Sequence, residues 1–122
     1  LRRAQFLTDV IAELDLTERV VVTRARAEDV PPQSADVVTS RAVAALPQLI
    51  AWSLRHTAPD GSVLAIKGGR ASEELSAERE KIRRLGGSNS EVVEIVVEPE
   101  SEPTARLVVV SRKPIRRFEW SR

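Results

Sequence analysis

The residues of this chain that could do chemistry are charged, and they lie just after short apolar runs. Val20-Val21-Val22 is followed by Arg24, Arg26, Ala27, Glu28 and Asp29. Asp36-Val37-Val38-Thr39-Ser40 leads into Arg41, and Ser62-Val63-Leu64-Ala65-Ile66-Lys67 leads into Gly68, Gly69 and Arg70. In an open α/β sheet, ligands bind beyond the carboxyl ends of the strands, so these loops would share one edge. Each loop carries Arg or Lys, which makes that edge basic and suited to an anionic ligand, with the acidic pair Glu28-Asp29 among the cations. A charged residue at a strand end is as often merely solvated as functional. The convergence of Arg26, Arg41 and Lys67 is therefore the stronger sign, and by itself it says only that the ligand is an anion.

Several chemistries are excluded by what the chain lacks. It has no Cys and a single His, His56, so thiolate and His-rich metal sites are ruled out and no metal is expected. No Ser/His/Asp or Cys/His set suggests a nucleophilic hydrolase. There is no Gly-x-Gly-x-x-Gly and no Gly-Lys-Ser/Thr loop to cradle a phosphate. An enzyme built on these residues must work by positioning or through a cofactor. The formal net charge of +1 means that any nucleic-acid contact comes from a local patch rather than from bulk charge. No apolar run approaches the roughly 20 residues of a membrane span, and the start has no secretory h-region, so no membrane partner is expected. Absence of Cys fits a reducing cytosol.

The elements that must position these residues follow from periodicity. Leu7, Val10, Ile11 and Leu14 recur at helical spacing, and Leu46, Leu49, Ile50 and Leu54 do so again with Pro47 in the first turn. Val20–Val22 reads as a buried strand, Asp36–Ser40 as a second, and Ser62–Lys67 as a third after a Pro59-Asp60-Gly61 turn. Ser72 is expected to cap a helix whose first turn holds Glu73 and Glu74 and whose end, after Arg83 and Arg84, meets Gly86-Gly87. Glu91–Val97 and Arg106–Ser111 read as strands. The connection between them has two prolines and no helical pattern, which is too little for a parallel crossover of about a dozen residues or more, so they should form an antiparallel hairpin. The acidic Glu91, Glu94, Glu98, Glu100 and Glu102 would turn that hairpin away from nucleic acid, and the basic tail Arg112 to Arg117 reads as a solvated end, with an RNA contact as the alternative. Trp52 and His56 read as packing residues. The result is an α/β sheet closed by a terminal antiparallel hairpin.

At this point the residues resemble a known family. Leu1 to Leu7 resembles the helix start of the RsmG (GidB) family of 16S rRNA guanine-N7 methyltransferases, with Arg2 where Lys is usual. Arg26-Ala27-Glu28-Asp29, Asp36 to Ala42 with Leu46-Pro47, Lys67-Gly68-Gly69, and Arg106 to Val110 with Arg112-Lys113 resemble further family stretches, in order. The resemblance implies a class I, Rossmann-like methyltransferase fold of sheet order 3-2-1-4-5-7-6 with the seventh strand antiparallel. It implies S-adenosylmethionine as methyl donor, with Ala27 and Glu28 at its adenine end and Arg41 beside it and the substrate. Arg2, Arg3, Arg26 and Lys67 match basic positions suited to RNA. The implied partner is the small ribosomal subunit, and the implied protein is a cytoplasmic monomer.

By this resemblance, residues 1–122 are the C-terminal part of a single methyltransferase domain, strands three to seven. The glycine-rich loop and first two strands are absent, and the chain opens without Met inside a helix. The expectation is that the parent protein is an enzyme and that this chain alone is inactive. Two other readings stay open: a non-catalytic RNA-binding module, and a piece of another α/β nucleotide enzyme, which the hairpin and Ser40-Arg41 disfavour.

Overall fold

The computed structural model describes residues 2–41, 44–96 and 105–112. The chain divides into two units, Leu1–Val30 and Pro31–Arg122.

In the first unit, helix α1 spans Arg2–Glu13, as the apolar spacing requires. None of its residues is buried, and Phe6 and Leu7 on its apolar face are exposed. Val20–Val22 does not form the expected strand. A strand is stable only when its N–H and C=O groups find a partner, and no other strand is described in this unit. Val21 is accordingly 87% exposed. One 3-10 turn, Ala27–Asp29, follows, closed by the Asp29 N–H on Arg26 O at 3.0 Å.

The second unit is a four-stranded sheet with two helices on one face. Its elements are β1 (Ala35–Arg41), α2 (Leu46–Arg55), β2 (Thr57–Lys67), α3 (Ala71–Arg84), β3 (Asn89–Ile95) and β4 (Ala105–Ser111). Strand order is β1-β2-β4-β3, with β1 and β2 parallel and β4 antiparallel to both its neighbours. The expected hairpin between β3 and β4 is present; its connection, residues 97–104, lies outside the described residues, as does the tail beyond 112.

The core lies between helices and sheet. Leu46, Leu49, Ile50 and Leu54 of α2 and Ala71, Leu75 and Ile82 of α3 pack on Val63, Ala65, Val108 and Val110. Val63 and Ala65 are two apart on β2 and pair with Val110 and Val108, so all four side chains leave the same face of the sheet. The opposite face carries Val37 and Ile66, both exposed.

Two local expectations are corrected. Pro59-Asp60-Gly61 is not a turn before the strand but an excess within it. From Ala35↔Thr57 to Val37↔Ser62, β1 advances two residues while β2 advances five. The surplus bulges out, as extra residues in a ladder must. Ser72 does not cap α3. The helix begins two residues earlier than that cap would set, at Ala71, Arg70 occupies the cap position, and no side-chain cap bond forms. The far end behaves as predicted. Gly86 adopts φ +105°, its N–H reaches Arg83 O at 3.1 Å, and the Gly87 N–H reaches Ile82 O at 2.9 Å, which is the Schellman arrangement.

Candidate functional site at the strand-end edge

Because β1 and β2 are parallel, their carboxyl ends open on one edge, with Arg41 opposite Ile66. This is the edge at which open α/β sheets bind ligands. Arg41 and Lys67 both reach it, as the strand-end argument expected, but they leave from opposite faces. Arg41 shares the pleat of Val37, Thr39 and Ile66, on the face without α2 and α3, and is exposed. Lys67 shares the pleat of Val63 and Ala65 and points toward the helices.

Lys67 is held there. Its Nζ donates to Glu74 Oε1 at 2.8 Å and to Ala44 O at 3.3 Å, and its side chain is only 8% exposed. A desolvated ammonium is retained only with partners. The ion therefore bridges the end of β2, the segment leaving β1 and the first turn of α3. Sequence reasoning assigned Glu74 to the helix dipole and missed this contact. The available signal was a carboxylate in the first helical turn, seven residues after the strand-end lysine. Ser40, one residue before Arg41, lies on the helix face, and its Oγ is buried without a hydrogen-bond partner among the described residues.

The other candidates stand in the first unit. Arg2 and Arg3 are exposed at the start of α1. Arg26 is the residue before the 3-10 turn, Ala27 and Glu28 form its body, and all three are exposed. The acidic Glu91 and Glu94 are exposed on β3, where Glu94 faces Arg106 across the hairpin with 3.5 Å between charged atoms. Trp52 is half-buried on α2, and His56 ends that helix. One groove of about 390 Å³ runs along Pro47, Gln48, Ala51, Lys81, Arg84 and Leu85, and none of the candidate residues lines it. Among the described residues no cluster of His, Cys, Asp and Glu could hold a metal, and no helix is long and apolar enough to cross a membrane.

A family model, GidB, described as rRNA small subunit methyltransferase G, matches residues 1–103. The chain belongs to the GidB family. Proteins named ribosomal RNA small subunit methyltransferase G resemble it along nearly its whole length. The one from Salinispora tropica is 40% identical over 99% of this chain and 56% of its own, and the one from Nocardioides sp. is 41% identical over 98% of this chain and 48% of its own. A third, from Kineococcus radiotolerans, is 48% identical over 70% of this chain and 34% of its own. The GidB-family chain described here thus spans about half the length of the first two curated relatives. Among solved structures, the mitomycin 7-O-methyltransferase MmcR matches with a TM-score of 0.58 at 15% identity, covering 90% of this chain and 39% of that one. At that identity the likeness concerns the fold, which is that of a class I methyltransferase. The order β1-β2-β4-β3 corresponds to the 4-5-7-6 half of the sheet expected for the GidB family, with the penultimate position antiparallel.

Proposed function

We propose that the full-length protein carrying this chain methylates N7 of a guanosine in small-subunit 16S rRNA, with S-adenosylmethionine as donor. The observation that supports this reading is the family match over residues 1–103, which takes in Arg26-Ala27-Glu28-Asp29 and the strand-end residues Ser40-Arg41 and Lys67-Gly68-Gly69. On this reading the chain is part of a single catalytic domain, and the intact protein works as a cytoplasmic monomer on the small ribosomal subunit.

The residues fit one end of the cofactor. Ala27 and Glu28 lie on an exposed 3-10 turn, where a small side chain leaves room for a planar base and a carboxylate can accept its amine hydrogen. Arg41, exposed on the open face of the strand edge, would lie beside the cofactor and substrate. The 122 residues contain no glycine-rich loop for the remainder of the molecule.

When bound, S-adenosylmethionine supplies an electrophilic methyl group on a positively charged sulfur. Guanine N7 is an acceptor with a free lone pair, so the chain has no proton to remove. The lack of a His, Cys or Ser catalytic set is consistent with such a reaction. What the residues contribute is alignment of the base and exclusion of competing poses. Methylation at N7 leaves the base positively charged, and cations against the ring would oppose it. Arg2, Arg3 and Arg26 therefore suit phosphates, away from the reacting nitrogen. Lys67 was grouped with them by sequence, but its ammonium already has Glu74 and the Ala44 carbonyl as partners.

The test is transfer of labelled methyl to a small-subunit rRNA transcript by the full-length protein, followed by borohydride and aniline, which cleave at N7-methylguanosine. A single cleavage site that coincides with the label is expected. Label incorporated without such a cleavage overturns the N7 assignment.

A further inference from the structure

We propose that Lys67 and Glu74 are positioning residues of this site: their ion pair holds the chain leaving β1 against α3, and neither side chain meets the RNA. The inference rests on the methyltransferase reading and changes the role that sequence alone suggests for Lys67.

Three observations carry it. First, the ammonium is withdrawn from solvent: its side chain is 8% exposed, whereas Arg41 at the same edge is exposed. A cation that recruits phosphate by counterion release must be reachable. Second, its two acceptors belong to different elements, a carboxylate from the first turn of α3 and the carbonyl of Ala44, three residues after Arg41. Those bonds tie β2, α3 and the exit of β1 into one unit at the ligand-binding edge. Third, the pleat directs Lys67 to the helix face and Arg41 to the open face. Lys67 therefore acts from behind the sheet on the backbone that follows Arg41. Glu74 is 32% exposed, so the pair is closed on the lysine side and reached by water on the carboxylate side. Removing Lys67 loses the bond to Ala44 outright, removing the Glu74 charge takes away the anchor that holds the ammonium to α3, and either change leaves the cations on the open face unchanged in number.

The experiment compares the full-length protein with Glu74→Gln and Lys67→Met. Turnover on a small-subunit rRNA transcript is measured with S-adenosylmethionine, together with transcript binding across salt concentrations and amide hydrogen exchange of the peptide 41–46. The expected result for Glu74→Gln is a kcat lower by on the order of tenfold, with KM for the transcript held within about twofold. Exchange over 41–46 should quicken in both variants. The salt slope of binding should stay unchanged. Lys67→Met flattening that slope by about 0.7–0.9 would mean that the ammonium neutralises a phosphate, and the inference fails. Glu74→Gln with wild-type kcat and wild-type exchange also overturns it. Glu74→Gln keeps the bond from Lys67 to Ala44, so it remains informative if Lys67→Met does not fold. Wild-type protein that methylates no rRNA sinks the methyltransferase reading instead, and exchange over 41–46 still decides whether the pair holds that segment.

Discussion

At Gly61, a hydrogen in place of a side chain lets β2 carry its surplus residues past β1. A Cβ there would lie 2.6 Å from Asp36 O and 2.8 Å from both Ala35 O and Thr57 Cγ2, and two of these atoms are backbone of the neighbouring strand. Gly61→Ala should therefore cost about 1–3 kcal/mol, the range of an overpacked core site; denaturant melting checks it, and unchanged stability would mean that the bulge relaxes freely. Arg26 makes a different kind of prediction. If it binds a phosphate, Arg26→Ala should weaken rRNA binding and flatten the log K versus log[salt] slope by about 0.7–0.9. Weaker binding with an unchanged slope would remove it from the phosphate contacts. At this scale the residue types at the edge were legible in the sequence, because strand ends can be located from apolar runs. The burial of Lys67 was not, because its partner Glu74 arrives from an element whose placement depends on the fold.

The helices were the most legible elements. Leu46, Leu49, Ile50 and Leu54 announced the buried face of α2, and all four are buried. Their spacing is a local property that survives whatever surrounds the helix. How α2 ends was not local. The Thr57 hydroxyl donates to Ser53 O at 2.7 Å, and the Arg112 guanidinium donates to Leu54 O at 2.9 Å and Thr57 O at 3.1 Å from more than fifty residues away. A tail cation that reads as solvated is thus a C-terminal cap, satisfying a carbonyl the helix leaves open. Arg112→Ala should lower stability by about 1 kcal/mol, less than a fully buried charged hydrogen bond because the residue is exposed. A thermal midpoint equal to wild type would show that water replaces it. The β-branched run Val20–Val22 misled for the converse reason: strand propensity records a fit to neighbours, and without neighbours it forms nothing. Ser72 misled because cap preference permits more than one start, and α3 takes the one that buries Ala71.

For the molecule as a whole, the cofactor question is one of completeness at the binding edge. The described sheet is the 4-5-7-6 half of the expected order, and the residues assigned to the adenine end lie in the other unit. With no glycine-rich loop among the 122 residues, the isolated chain should not bind S-adenosylmethionine at micromolar concentration. Titration calorimetry decides this, and a micromolar dissociation constant for the isolated chain would overturn it. The sequence by itself determined the α/β class, the antiparallel hairpin, the buried face of α2 and the family, because periodicity, loop length and ordered motifs are read along the chain. Only the tertiary structure decided that Arg41 and Lys67, which reach the same basic edge, part to opposite faces of the sheet. The direction of a side chain depends on strand register, and register is set by pairing between residues far apart in sequence. That pairing turned one of the two cations outward and closed the other into an ion pair.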